Sequence, residues 1–223
     1  PKRRGSRKQE ACMDEIEAAF TYPVFVKPAG TGSSVGISKA KCREDLEQAV
    51  TDALRYGNKA LVEEFIDGQE IEVAVLGNES PCASVCGEID AGAEFYDYEA
   101  KYLSSSASFY VPARIDEAVS ELLRETAVKV YRAMECRGMA RVDFFVRREN
   151  NEVVFNEINT IPGSLAFYLW EPVGVKYSEL LDEMISLALK RERENKALTF
   201  SFDTNILDGF TGGKLGGTKG GKL

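Results

Sequence analysis

The sequence predicts an α+β fold, and three observations indicate this class. Residues 142–159 contain two runs rich in β-branched and aromatic residues around a polar turn, which is typical of a β-hairpin. Residues 115–134 and 177–189 carry apolar side chains at helical spacing. The segment 22–54 reads as strand, loop, strand and helix. Hairpins and helices in separate stretches of chain favour an α+β arrangement.

In the first quarter of the chain, local signals predict two helices and two strands. Residues 1–9 look irregular, and residues 10–20 predict a short amphipathic helix. Prolines bound a short strand over 22–28, and a second strand is expected at 37–41. The helix that follows is predicted from apolar residues at helical spacing before Gly57, namely Leu46, Ala49, Val50, Ala53 and Leu54.

The middle of the chain predicts further strands and one long loop. Residues 60–66 form a predicted strand, Asp67 and Gly68 a tight turn, and residues 70–76 the hairpin partner. Another strand is expected at 82–88. Residues 91–108 lack an apolar period and are crowded with Tyr, Phe and charged residues, so they predict a long loop. Loops of this length are often functional lids.

Composition excludes several classes of chemistry. The chain has 223 residues, a net charge of -8 and no histidine. The missing imidazole excludes serine–histidine and cysteine–histidine catalysis and zinc sites built on histidine. Five cysteines, an odd number without paired spacing, argue against a disulfide framework or a zinc site. The acidic balance argues against a general nucleic-acid binder, and with no membrane-length apolar run or signal-peptide pattern we expect a cytoplasmic protein.

The hairpin at 142–159 carries the first candidate site. Folding the chain back near Asn150 and Asn151 places position 143 opposite 157, and position 141 opposite 159. Alternation along each strand then brings four polar side chains to one face, namely Arg141, Asp143, Glu157 and Asn159. A core face should be apolar, so a cation, two carboxylates and an amide gathered there predict a metal or phosphate site.

A glycine-rich loop offers a second candidate. Residues 30–36, GTGSSVG, join two predicted strands, and glycines let backbone N–H groups approach phosphate oxygens closely. Ser33 and Ser34 add hydroxyl donors, and Lys27 at the end of the preceding strand adds a positive charge. A glycine-rich turn that binds no ligand explains this stretch equally well.

Two further stretches have both a functional and a structural interpretation. Residues 61–70 place carboxylates on an apolar strand, where they fit a nucleoside's hydroxyls or an ordinary solvated edge strand. Residues 96–102, YDYEAKY, fit a closing lid whose Lys101 meets phosphate and whose Tyr102 meets substrate. The alternative for this second stretch is a surface loop with amphipathic aromatic residues.

Taken in order, these motifs resemble the ATP-grasp D-alanine–D-alanine ligase family. The resemblance rests on VKP with GTGSSVG, then VEEFIDGQE, YDYEAKY, ARVDFF and FNEINTIPG, and it covers residues 22–189. YDYEAKY followed by NEINTIPG is its most specific part. It implies an ATP-grasp fold in which two α+β subdomains clamp a nucleotide. We assign residues 1–66 to a central subdomain truncated at its start, 67–191 to the C-terminal subdomain and 192–223 to a flexible Gly/Lys-rich tail.

The resemblance also implies a role for each matching residue. Lys27 and Lys101 hold nucleotide phosphates with the loop around Ser33 and Ser34. The adenine meets Glu63 and the backbones of Glu64 and Ile66, and the ribose meets Glu70. The ligands of two Mg²⁺ ions, with Mn²⁺ as an alternative, are Asp143, Glu157 and Asn159. Arg141 and the backbone N–H of Gly163 stabilise an oxyanion, and Ser33 and Tyr102 position the first substrate.

The implied activity is ATP-dependent joining of two D-alanines through an acyl phosphate, as in peptidoglycan precursor synthesis. Two departures qualify it. The family's N-terminal domain and a further nucleotide lysine are not visible, so a non-catalytic nucleotide-binding fragment is an alternative. The bulky segment 164–170, SLAFYLW, resembles the D-alanine–D-serine branch, so D-serine is an alternative second substrate. We expect no nucleic-acid or membrane partner, and a homodimer of the full-length protein stays open.

Overall fold

The computed structural model describes residues 2–32, 34–90 and 108–199, with backbone alone for residues 2–7. The predictions for Ser33, Lys101 and Tyr102 lie outside these residues, as do those for the lid and for the tail beyond residue 199. Within the described ranges, no helix is long and apolar enough to cross a membrane.

The first part of the chain forms a small antiparallel sheet backed by two helices. Its strands lie in the order β2-β1-β3, and Met13, Val24, Val26 and Leu46 are buried where the helices meet the sheet. The first helix begins eight residues earlier than position 10, where it was predicted. Residues 2–9 include no apolar side chain, so no apolar stripe was there for a pattern to detect. The elements are α1 (Lys2–Ala19), β1 (Val24–Pro28), β2 (Ser38–Ala40), α2 (Arg43–Ala53) and β3 (Ala60–Glu64).

The second part forms a five-stranded antiparallel sheet in the order β6-β5-β4-β7-β8. One face packs on the long helix through Leu123, Ala127 and Tyr131. The other face packs on a 3₁₀ segment, Gly163–Leu169, and on the last helix through residues such as Leu180. The elements are β4 (Gly68–Leu76), β5 (Cys82–Asp90), β6 (Ser108–Tyr110), α3 (Glu117–Ala133), β7 (Met139–Arg147), β8 (Val153–Asn159) and α4 (Tyr177–Lys196).

The predicted hairpin of residues 60–66 with 70–76 is wrong. Strand β3 pairs with β1 in the small sheet, whereas β4 pairs with β5 and β7 in the large sheet. Gly68 does not serve a hairpin turn here. A Cβ at this position would lie 2.6 Å from the carbonyl oxygen of Val146, so glycine permits the close approach of β4 to β7.

The hairpin of β7 and β8 has the predicted register. Asp143 lies opposite Glu157 and Arg141 opposite Asn159, with a register shift after Asp143. Asn151 adopts a left-handed conformation with φ 57°, which asparagine tolerates in tight turns. The last helix runs to Lys196, so residues 192–196 are helical where the sequence predicted the start of a tail.

Candidate functional site

A cleft of about 1740 Å³ separates the two sheets, and it gathers most of the predicted site residues. Its walls are the outer face of the small sheet and the polar face of β4, β5 and β7. The predicted residues that line it are Lys27, Ser34, Glu63, Glu64, Ile66, Glu70, Arg141, Asp143, Glu157 and Gly163. Asn159 contacts Asp143 from the neighbouring strand, so it belongs to the same group.

The small-sheet wall combines a cation with an aromatic surface. Lys27 Nζ lies 2.8 Å from Glu63 Oε1. Phe25 and Phe65 pack with ring centroids 6.1 Å apart, and Lys39 Nζ lies 3.9 Å above the centroid of Phe65. Strand pairing explains this grouping, since Phe25 sits opposite Lys39 on one side and Glu63 on the other. The wall therefore offers ammonium groups beside flat apolar surface.

The glycine-rich loop is held in place by its own hydrogen bonds. Thr31 Oγ1 donates to the carbonyl of Val35 at 3.1 Å, and the Val35 N–H donates to Gly32 O at 3.2 Å. Gly36 has φ 76°, and a Cβ there would lie 2.7 Å from the Tyr56 ring, so glycine is required. The loop lines the cleft at Ser34, beside the wall that carries Lys27.

The edge of the small sheet is tied to the large sheet by an ion pair. Glu64 Oε1 lies 2.7 Å from Arg147 Nη2 on β7. Ile66 and Glu70 follow, and both line the cleft where the chain passes from one sheet to the other. The chain therefore crosses from the small sheet to the large sheet in this stretch and does not form the predicted hairpin.

The polar face of the β7–β8 hairpin is a connected network. The guanidinium of Arg141 donates to both oxygens of Asp143, from Nε at 2.7 Å and from Nη2 at 2.8 Å. Asn159 Nδ2 donates to Asp143 at 2.8 Å and to Glu157 at 3.3 Å. Asp143 is buried, whereas Glu157 is exposed to the cleft. The four predicted side chains are thus brought together as expected.

The donor set suits a hard cation. Asp143, Glu157 and Asn159 supply carboxylate and amide oxygens, which Mg²⁺ prefers, and Mg²⁺ is usually held by one or two carboxylates together with a substrate's phosphates. Among the described residues there is no cluster of three or more His, Cys, Asp or Glu side chains that would form an all-protein metal cage. Two carboxylates and an amide at a cleft fit an ion shared with a phosphate ligand.

Glu72 adds a second carboxylate to Arg141, and sequence reasoning missed it. It lies on β4 directly opposite Asp143, is 1% exposed, and its Oε2 is 3.1 Å from Arg141 Nε. Burial alone would lower the pKa of Arg141, but the hydrogen bonds and charge of Asp143 and the charge of Glu72 raise it. The guanidinium therefore stays protonated inside the cleft wall.

The 3₁₀ segment closes this end of the cleft. After Gly163, three consecutive residues have left-handed φ values of 51°, 53° and 48°, at Ser164, Leu165 and Ala166. Such conformations cost roughly 1–2 kcal/mol per residue, so packing of the segment must hold them. Tyr168, at its far end, lines the cleft, and burial together with the charge of Glu72 raises the pKa of its phenol.

A separate ion pair, between Glu88 on β5 and Arg114, also borders the cleft. Arg114 donates to Glu88 from Nε at 3.0 Å and from Nη2 at 2.8 Å, and Gln69 donates to Glu88 at 3.1 Å. The hydrogen bonds from Arg114 lower the pKa of the Glu88 carboxyl to about 2, against the opposing effect of burial. Arg114 also stacks on Tyr110, with its guanidinium carbon 3.5 Å from the ring centroid.

Several cleft residues were not singled out from the sequence, among them Lys39, Glu72 and Arg114. Glu72 had a usable signal, because it lies two positions after Glu70 and so faces the same side of the strand. Lys39 had a usable signal as well, because it lies two positions before Lys41 on a predicted strand, and in the structure it faces the same side of the small sheet as its partner Phe25. Arg114 had none, since it lies in an irregular segment that carries no period. Tyr168 belongs to the segment 164–170, which the sequence linked to the second substrate without indicating which of its side chains faces the cleft.

Comparison with known proteins gives a consistent result. The family model described as D-ala D-ala ligase C-terminus matches residues 2–186. D-alanine–D-alanine ligases of Acetivibrio thermocellus and Caldicellulosiruptor bescii are both 50% identical, over 190 and 200 residues. These matches cover 83% and 88% of this chain but 50% and 55% of the relatives. The chain thus spans about half the length of the curated relatives it matches.

Two solved structures resemble this chain closely. The VanG D-Ala:D-Ser ligase from Enterococcus faecalis has a TM-score of 0.73 and 40% identity, covering 80% of this chain and 53% of that one. The D-alanine–D-alanine ligase from Coxiella burnetii has a TM-score of 0.68 and 36% identity, covering 78% of this chain and 47% of that one.

Proposed function

The chain belongs to the D-alanine–D-alanine ligase family, which has the ATP-grasp fold, and we propose that its protein joins two D-amino acids with ATP. The product would be a dipeptide for peptidoglycan precursor synthesis in the cytoplasm. The observation that carries the proposal is the Arg141–Asp143–Asn159–Glu157 network on the wall of a large cleft. This network combines a cation with hard oxygen ligands, which phosphoryl and acyl transfer both need.

The first step would convert a poor electrophile into a good one. A carboxylate oxygen of the first D-alanine attacks the γ-phosphorus of ATP, ADP leaves, and an acyl phosphate results. Lys27 and the loop at Ser34 would bind phosphate oxygens, and the same role is proposed for Lys101. Glu63, with the backbones of Glu64 and Ile66, would contact the adenine, and Glu70 the ribose.

Asp143, Glu157 and Asn159 would hold Mg²⁺, or Mn²⁺, against the nucleotide phosphates. A bound divalent ion neutralises the charge that develops on the transferred phosphoryl group. The fit rests on the hard oxygen donors and on the position of Glu157, which is exposed to the cleft while Asp143 is buried behind it. Glu157 would thus be the carboxylate most directly available to an incoming ion.

The second step would form the peptide bond. The amine nitrogen of the second amino acid attacks the acyl carbon, the carbonyl oxygen becomes an oxyanion, and phosphate then leaves. Arg141 and the backbone N–H of Gly163 would stabilise that oxyanion. Both line the cleft. Ser33 and Tyr102 are proposed to position the first substrate, as the family resemblance implies.

The second substrate is D-alanine in our first proposal and D-serine in the alternative. The alternative is favoured by the bulky segment 164–170 and by the similarity to a D-Ala:D-Ser ligase. Tyr168 of this segment lines the cleft, so it is available to contact the second amino acid. A homodimer of the full-length protein is a further prediction.

The division into residues 1–66, 67–191 and 192–223 also stays a proposal. It agrees in outline with the two sheets, which separate between β3 and β4. Because the chain spans about half of its relatives, residues 1–223 by themselves have a second candidate role as a nucleotide-binding piece without turnover.

The proposal is tested with the protein that contains this chain, supplied with ATP, Mg²⁺ and D-alanine. ADP, phosphate and D-alanyl-D-alanine should appear together, as followed by a coupled assay and mass spectrometry. When D-serine is supplied together with D-alanine, the mass of the dipeptide shows which of the two is the second substrate. Formation of neither dipeptide, while ADP binding is retained, would contradict ligase activity and favour the binding role.

A further inference from the structure

Glu72 occupies an unusual place for an acidic residue. It is 1% exposed and lies in the middle of β4, the central strand of the large sheet. Directly across on β7 is Asp143, so two carboxylates face each other at one point of the cleft wall. Like charges directly opposite one another destabilise a sheet unless a cation lies between them.

Arg141 is that cation, and both carboxylates hold it. Its Nε lies 2.7 Å from Asp143 Oδ1 and 3.1 Å from Glu72 Oε2. Its Nη2 donates to Asp143 Oδ2 at 2.8 Å, which completes a fork. A planar guanidinium that is hydrogen-bonded along one edge cannot rotate freely, so its remaining N–H groups point in a defined direction.

The far side of Glu72 is packed by the segment that follows the left-handed turn. Tyr168 lines the cleft together with Glu72 and Arg141. Leu169 lies against Gly87, where an added Cβ would be 2.6 Å from Leu169 Cδ2 and 3.4 Å from the Glu72 Cγ. The carboxylate is therefore enclosed between β5, β7 and the 3₁₀ segment.

We propose that Glu72 and Tyr168 are positioning residues for Arg141, and that they aim its free N–H groups at the oxyanion of the peptide-forming step. This inference rests on the proposed function. Asp143 fixes one edge of the guanidinium, but Asp143 would also serve the metal ion. Glu72 gives Arg141 a second anchor that does not depend on the ion, and Tyr168 keeps this anchor away from the open cleft.

The consequence lies in the second step of the reaction. As the C–N bond forms, the carbonyl electron pair moves onto the oxygen. An N–H donor must be in place at that moment to stabilise the negative charge. The C–O bond to phosphate then breaks, and the amine's surplus proton is released to solvent. If Arg141 loses this orientation, attack by the amine slows. Water then hydrolyses the acyl phosphate, which returns the amino acid and phosphate. ADP would then be released without dipeptide.

A simpler account is that Glu72 only compensates the buried charge of Arg141. On that account its loss lowers stability and leaves the chemistry per folded molecule unchanged. The two accounts differ in the yield of dipeptide per ADP, which is independent of the amount of folded enzyme.

The test compares Glu72→Gln and Tyr168→Phe with wild type in the full-length protein, using saturating ATP, Mg²⁺ and amino acids. Tyr131→Phe is the matched control, because it removes a buried phenol hydroxyl, which donates to Gly77 O at 2.8 Å on the opposite face of the same sheet. Dipeptide and ADP are quantified in the same samples, and melting temperatures are recorded.

We expect kcat for dipeptide formation to fall roughly ten- to hundredfold in Glu72→Gln and less in Tyr168→Phe. Dipeptide per ADP should fall below the wild-type ratio in both, with KM for ATP within about twofold. Tyr131→Phe should keep the wild-type ratio. An unchanged ratio in both test variants, whether or not they are less stable, would overturn the inference, whereas an inactive wild-type protein would overturn the proposed function instead.

Discussion

The Glu88–Arg114 pair allows a quantitative prediction about stability. Glu88 is 4% exposed and accepts hydrogen bonds from the Arg114 side chain, from the Arg114 backbone and from Gln69. These lower the pKa of its carboxyl from the ordinary 4.5 to about 2. At 1.36 kcal/mol for each pKa unit, this difference corresponds to at most roughly 3 kcal/mol of the free energy of unfolding.

The expected effect is smaller, because the Arg114 side chain is 50% exposed and solvent screens the pair. We predict that Glu88→Gln lowers the free energy of unfolding at pH 7 by about 1–2 kcal/mol, or the melting temperature by about 2–8 °C. Since the folded-state pKa lies below the unfolded value, the stabilisation is complete above pH about 4.5. It is then lost as the pH falls toward about 2.

Urea unfolding of wild type and Glu88→Gln at pH 7 and pH 3 measures this difference. At pH 3 the free energies of unfolding of the two proteins should differ by less than about half of their difference at pH 7. Glu79→Gln is the control, because it makes the same change in an exposed pair with Lys190 and should alter stability less than Glu88→Gln does. A difference that is equal at both pH values, or absent at pH 7, would refute the assignment of the stabilisation to this ion pair.

Three further predictions concern the cleft. Glu157→Gln should keep the fold but lose most activity and need more Mg²⁺, as measured by Mg²⁺ titration of turnover; wild-type-like turnover at low Mg²⁺ would contradict the ligand role. Lys27→Met should raise KM for ATP severalfold with little change in melting temperature, because its partner Glu63 is 42% exposed and stays solvated; an unchanged KM would count against a phosphate contact. Gly87→Ala should lower the free energy of unfolding by about 1–3 kcal/mol, because its Cβ would collide with Leu169, and a denaturant melt with no loss would show that the segment shifts freely.

The β7–β8 hairpin could be predicted because its signals are local. A polar turn of four to six residues between two apolar runs fixes which residues face each other. The register follows from counting, and so Asp143 and Glu157 were paired correctly. Strand alternation then determines which side chains share the polar face. No information from the rest of the chain was required.

The same kind of signal failed between β3 and β4, for a physical reason. Asp67 and Gly68 resemble a hairpin turn, but each flanking strand has a better partner elsewhere in the chain. Pairing of β4 with β7 joins residues that are more than seventy positions apart at the Gly68–Arg147 end. A local pattern carries no information about such long-range pairing. The glycine had been interpreted as a turn residue, while its role is to admit the backbone of Val146.

One part of the site lies where the backbone is irregular, and the sequence did not predict its conformation. Tyr168 reaches the cleft because three residues after Gly163 adopt left-handed conformations. None of the three is glycine or asparagine, the residues that normally indicate this conformation. Packing of Ala166, Leu169 and Trp170 against the large sheet holds the turn, so tertiary contacts and not local preference determine it.

The two walls of the cleft differ in their charged groups, and this bears on how a nucleotide would be held. The small sheet contributes two ammonium groups, Lys27 and Lys39, beside the carboxylates of Glu63 and Glu64, whereas the large sheet contributes mainly carboxylates, among them Asp143 and Glu157. The ammonium groups attract a polyphosphate, and the carboxylates of the large sheet repel it. A divalent ion held by Asp143 and Glu157 would offset this repulsion, because such ions are usually shared between carboxylates and a substrate's phosphates. Arg141 is a cation on the acidic wall, and Asp143 and Glu72 lie beside its guanidinium, so its charge is largely compensated before any phosphate arrives. On the proposed function, this arrangement would leave phosphate binding to the opposite wall and the ion, and would keep the guanidinium for the smaller charge that develops on a carbonyl oxygen.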